Sequence, residues 1–80
     1  MDSDRPILVD ARGHRCPAPT LRLARALRGA GAGQAVRLLA DDPMARIDVP
    51  HYAAHNGLTV LAVTDEGSWM SFLVVRKGQA

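Results

Sequence analysis

The chain of 80 residues holds one cysteine, Cys16, so no disulfide can close within it. A two-thiol cycle of the Cys-x-x-Cys kind is excluded as well, and a lone free thiol fits a reducing compartment. Aromatic residues number three, Tyr52, Trp69 and Phe72, too few and too scattered to stack a row of bases. Lysine occurs once against nine arginines, and the net charge is only +2, an excess too small to mark a nucleic-acid surface. Apolar runs such as FLVV are far too short to cross a bilayer, and the opening MDSDRP lacks the basic-then-apolar pattern of a signal peptide. These absences predict a cytoplasmic protein that neither enters membranes nor binds nucleic acid directly.

What is present suits one globular domain over residues 1–80, since hydrophobic residues make up 48% of the chain. PILVDA (6–11) and AVRLLA (35–40) are apolar runs of strand length. Between them Leu21, Ala24 and Leu27 recur at intervals of three, which predicts the core face of an amphipathic helix, with Arg22, Arg25 and Arg28 on another. Gly29, Gly31 and Gly33 then stop it, because glycine takes the left-handed C-cap conformation readily. A second helix carries Ile47, Val49, Tyr52 and Ala53. Pro50 predicts a start near residue 48, and Asn56-Gly57 the end. LTVLAV (58–63) and WMSFLVV (69–75), separated by Asp65 to Ser68, form a hairpin. The order βαβαββ predicts an α/β two-layer sandwich: a four-stranded mixed sheet, its first two strands parallel, with both helices on one face.

The segment GHRCPAPTLRLARAL (13–27) places the cysteine where the first helix starts. With Cys16 as N-cap, Pro17 occupies the first helical position, where its missing N–H costs nothing. A start at Pro19 leaves Cys16 in the preceding turn; a start at Pro17 makes Ala18 helical although it precedes a proline. In either case the positive end of the helix dipole and the Arg15 guanidinium favour thiolate over thiol, lowering the Cys16 pKa from its ordinary value of roughly 8.5. Most free cysteines are small core residues, but one beside a cation at a strand–helix turn is of the reactive type. With no second cysteine to resolve it, a sulfur species formed on Cys16 waits for another molecule.

Other features carry less. The arginine row serves either as a solvated face or as a docking surface, with Arg22 and Arg25 nearest the cysteine. Asp42 follows the second strand and opens on the same edge as Cys16, as a helix N-cap or as a partner contact. His51 and His55 share a helix face, yet without further ligands they predict surface histidines and no metal site. GAGAG (29–33) precedes a strand, not a helix, and so is a connector, not a phosphate loop.

The run Gly13, His14, Arg15, Cys16, Pro17, Ala18, Pro19 resembles the signature of the TusA/SirA family of small sulfur carriers, Gly-x-x-Cys-Pro-x-Pro at the start of the first helix. Asp10-Ala11, ADDPMARIDVP (40–50) and FLVVRKG (72–78) are similar to other family segments, so the likeness runs from Ile7 to Gly78. It implies the βαβαββ sandwich read above, a persulfide on Cys16, and a helix-start role for Pro17 and Pro19, with Gly13 and Arg15 as supporting members of the motif. It also implies two protein partners: a sulfur donor, either a cysteine desulfurase or a rhodanese, and an acceptor in tRNA thiolation, molybdenum-cofactor sulfuration, sulfur oxidation or selenium handling. Members acting in tRNA thiolation often carry an acidic residue between the prolines, where this chain has Ala18.

The expected function is therefore a sulfur relay in which Cys16 holds sulfane sulfur and passes it on. With no general base, substrate pocket or cofactor loop in its sequence, such a chain is a co-substrate more than a multiple-turnover enzyme and needs no cofactor. The alternative is a redox-sensing or regulatory interaction module that uses Cys16 as a switch.

Overall fold

A computed structural model describes residues 6–15, 18–30 and 33–76. The order is β1 (Ile7–Asp10), α1 (Ala18–Gly29), β2 (Val36–Ala40), α2 (Ala45–His55), β3 (Leu58–Asp65) and β4 (Met70–Arg76). The strands form a mixed sheet in the order β1-β2-β4-β3. β1 runs parallel to β2, Ile7 facing Val36 and Asp10 facing Leu39; β4 is antiparallel to both β2 and β3. The βαβαββ sandwich read from the sequence is the fold.

Period-two alternation decides which side of each strand meets the helices. Val9, Val36, Leu38, Phe72 and Val74 point to one face and pack against Leu23 and Leu27 of α1 and Ala45 and Val49 of α2. Burying a leucine or phenylalanine of this kind is worth about 1.5–3 kcal/mol. The opposite face is not covered by helices: Leu8 is 63% exposed there, and Arg37 reaches across to the Ser71 hydroxyl at 2.9 Å. In β3 the register shifts between Val60 and Ala62, a bulge that places Leu61 outside the regular pairing.

Four local expectations need correction. Leu27 is buried as expected, but Leu21 is 61% exposed, and the core face of α1 runs through Thr20, Leu23 and Leu27. A stride of three residues falls about 60° short of a full turn, so alternating strides of three and four hold a face that repeated threes leave. α2 starts at Ala45, not near residue 48, and takes Pro50 into its interior. Burial of Ala45, Val49 and Ala53 along that helix offsets the one amide Pro50 cannot donate. Gly29 is the last residue of α1 but has no positive φ; that conformation appears at Gly33 (φ 78°) and, beyond α2, at Gly57 (φ 69°), while Gly31 lies outside the described residues. The hairpin strands run through Thr64 and Asp65, and the turn is closed by the Glu66 amide donating to the Trp69 carbonyl at 2.9 Å.

Candidate functional site

β1 and β2 are parallel, so their C-terminal loops open on the same edge of the sheet. The loop after β1 is the one that carries the motif. It begins with a tight turn, Ala11 to His14, closed by the His14 amide donating to the Ala11 carbonyl at 3.2 Å. Gly13 is the third residue of that turn and has φ 86°, the left-handed value that a type II turn demands and that glycine meets without strain. The motif's first residue is thus fixed by backbone geometry.

The amide of Gly13 belongs to the turn's central peptide and takes no part in closing the turn. It donates instead to Asp41, whose two carboxylate oxygens lie at 2.9 and 3.0 Å. Asp41 is the first residue after β2, so a side chain from one loop holds the backbone of the other.

Beside this contact lies a compact set of charges. Arg12 forms two hydrogen bonds from its guanidinium to the Asp10 carboxylate, at 2.9 and 2.8 Å, and its backbone amide donates to the same group at 3.1 Å. The Arg12 side-chain bond and then its amide bond hold the Asp10 carboxyl down at about 2. In return, the hydrogen bond to Asp10 and the charges of Asp10 and Asp41 keep Arg12 more firmly protonated than usual. The Arg12 guanidinium also sits 5.0 Å from the ring centre of Trp69, within cation–π range. Trp69 just precedes β4, so the β3–β4 turn also reaches the motif loop.

Cys16 and Pro17 lie outside the described residues. Their neighbours are placed: His14 and Arg15 are exposed, and α1 begins at Ala18 with Pro19 in its first turn. A helical residue directly ahead of Pro19 runs against the usual preference, so the sequence breaks a local rule next to the cysteine, the kind of conflict that gathers at functional sites.

Of the other site residues, Arg22 is anchored: its guanidinium donates to the Asp10 carbonyl at 2.9 Å. Arg22 and Arg25 line a shallow hollow of about 260 Å3 with Val9 and Ala26. Arg28 lines a different groove, with Tyr52, Asn56 and Arg76; the row seen in sequence is two surfaces. Asp42 is not the N-cap of α2. That position is Met44, and Asp42 Oδ1 accepts from the Met44 amide at 3.0 Å, shaping the turn before the helix. His51 and His55 are exposed with ring centres 4.2 Å apart, and His55 Nδ1 lies 3.0 Å from the His51 carbonyl. Among the described residues no group of three or more His, Cys, Asp or Glu side chains is arranged to hold a metal ion, nor is any helix long and apolar enough to cross a membrane.

Asp41, Arg12 and Trp69 are the contributors that sequence reasoning missed. Asp41 and Asp42 are adjacent identical residues that no sequence signal ranks, and none joins Arg12 to Trp69.

Comparisons with known proteins find relatives over most of the chain. The family described as "Sulfurtransferase TusA" matches residues 7–77. The "Sulfur carrier protein TusA" of Allochromatium vinosum is 32% identical over 66 residues, covering 82% of this chain and 87% of that protein. Its namesake in Pseudomonas entomophila is 29% identical over 69 residues, covering 86% of each. The crystal structure of a SirA-like protein from Desulfitobacterium hafniense superposes with a TM-score of 0.77 at 27% identity, covering 89% of this chain and 97% of that one.

Proposed function

Since the chain belongs to the TusA family, we propose that it carries sulfane sulfur as a persulfide on Cys16 and delivers it to a downstream protein. The observation that carries this reading is the motif loop itself. Its first residue, Gly13, is pinned by Asp41 on an exposed edge, and α1 starts two residues after the cysteine. His14 and Arg15, which lead to the cysteine, are exposed, and the start of α1 just after it brings the positive end of a helix dipole to that part of the sequence.

The chemistry is a pair of exchanges. The Cys16 thiolate attacks the terminal sulfur of a donor persulfide; a new S–S bond forms on Cys16, the donor S–S bond breaks, and the donor leaves as a thiolate. An acceptor nucleophile then attacks the outer sulfur and Cys16 departs as a thiolate. Each step exchanges one S–S bond for another bond to the same sulfur, so neither needs an external oxidant. Arg15 favours the charged sulfur, and Arg22, Arg25 and Asp42 offer charges around the loop to the donor and the acceptor. The donor is a cysteine desulfurase or a rhodanese, the chain acts in the cytoplasm as one domain over 1–80, and it serves as co-substrate for its partners.

The test is transfer of radiolabelled sulfur from cysteine through a desulfurase. Label retained by the wild type, released by thiol reductant and absent from Cys16→Ser supports the carrier. Label that stays on the Cys16→Ser protein would show that the sulfur sits elsewhere.

A further inference from the structure

We propose that Asp41 is a positioning residue for sulfur transfer: by holding the Gly13 amide it sets the loop that presents Cys16. The inference deepens the carrier reading and rests on it for the chemistry, but its geometric basis is separate.

Three observations converge on Asp41. Both of its oxygens face one amide, at 2.9 and 3.0 Å, across 28 residues of sequence. The turn that holds that amide leaves it without an internal acceptor, because the bond closing the turn runs from His14 to Ala11. Arg12, beside Gly13, is tied to Asp10 and lies 5.0 Å from the Trp69 ring centre, so the start of the loop is already held by side-chain contacts. The hold on Gly13 extends that order three residues short of the cysteine. Asp41 and Gly13 are both exposed, so the contact adds little to global stability, as exposed polar contacts generally do. Its consequence is local: it fixes the direction in which the chain leaves the turn toward α1.

Toward Cys16 this carboxylate acts by accepting a hydrogen bond, not through its charge. A negative group near a thiolate opposes it, so a role through charge predicts that removing Asp41 makes Cys16 more reactive. A role through position predicts the reverse. Two variants separate these. Asp41→Asn keeps an acceptor oxygen and loses the charge; Asp41→Ala loses both.

The experiment measures, at one fixed pH, the rate of Cys16 alkylation by iodoacetamide and the rate of sulfur uptake from a desulfurase, with Gly13 amide hydrogen exchange as the check on the contact. The expected result is uptake slowed roughly tenfold or more in Asp41→Ala, the scale on which small misplacements act, with slower alkylation and a faster-exchanging Gly13 amide. Asp41→Asn remains within about twofold of wild type in all three, since its acceptor survives. Equal changes in the two variants, or faster alkylation in both, would overturn the proposal in favour of charge. Unchanged rates in Asp41→Ala would overturn it outright. If the wild type takes up no sulfur, the carrier reading fails, and the alkylation and exchange arms still decide the role of Asp41.

Discussion

Asp41 and Gly13 are 28 residues apart in the chain, yet one carboxylate grips one amide with both oxygens, at 2.9 and 3.0 Å. The contact joins the loops after the two parallel strands, the edge at which open α/β sheets commonly place their chemistry. The backbone at the start of the motif loop is held there.

Gly13 stands at φ 86°, and a Cβ added to it would meet nothing within 4 Å. Space is therefore no obstacle to alanine, and the penalty is conformational alone. Gly13→Ala should lower stability by about 1–2 kcal/mol, the cost of a left-handed non-glycine residue. Urea unfolding measures it. An unchanged midpoint would mean that the turn has another conformation in solution.

The Asp10 carboxyl is held at about 2 by its hydrogen bonds from Arg12. A carboxylate whose folded pKa lies below its unfolded value stabilises the fold above the unfolded value, and that contribution is lost as pH falls toward the folded one. The loss should therefore fall between the ordinary aspartate range, near 4, and about 2. Arg12→Ala should return the Asp10 titration, followed by carboxyl NMR, to the ordinary range. A titration near 4 in the wild type would contradict the pairing.

Leu23 and Leu21 lie two positions apart on α1, one fully buried and the other 61% exposed. Leu23→Ala should cost about 2–5 kcal/mol, the range for emptying a packed leucine site. Leu21→Ala should stay within about 0.5 kcal/mol, as surface changes do. Thermal or urea unfolding of the pair checks both, and equal losses would contradict the face assigned to α1.

The order of elements was legible because each strand is a short apolar run and the punctuation, Asn56-Gly57 and Asp65 to Ser68, falls between runs. The motif around Cys16 was legible for the same local reason: a proline at each side of Ala18 is a feature of adjacent residues. The face of α1 was misread because threefold spacing of Leu21, Ala24 and Leu27 imitates a helical stripe and drifts off it. Pro50 points to a later start for α2 because its local cost is visible in the sequence and the burial of Ala45 and Val49 is not. The anchors of the loop were not legible at all. Asp41 reaches Gly13, and Trp69 reaches Arg12, only after strand pairing has brought three separate loops to one edge, and a sequence scan sees no pairing.

The measurement that bears most directly on the central claim is intact mass after incubation with a sulfur donor, for wild type and for Cys16→Ser. A cysteine desulfurase with cysteine and a rhodanese with thiosulfate cover the two donor classes. The wild type should gain about 32 Da, one sulfur atom on its thiol, and lose it to a thiol reductant, as reversible cysteine modifications do. Cys16→Ser should gain nothing. Unchanged wild-type mass with both donors would contradict a persulfide on Cys16.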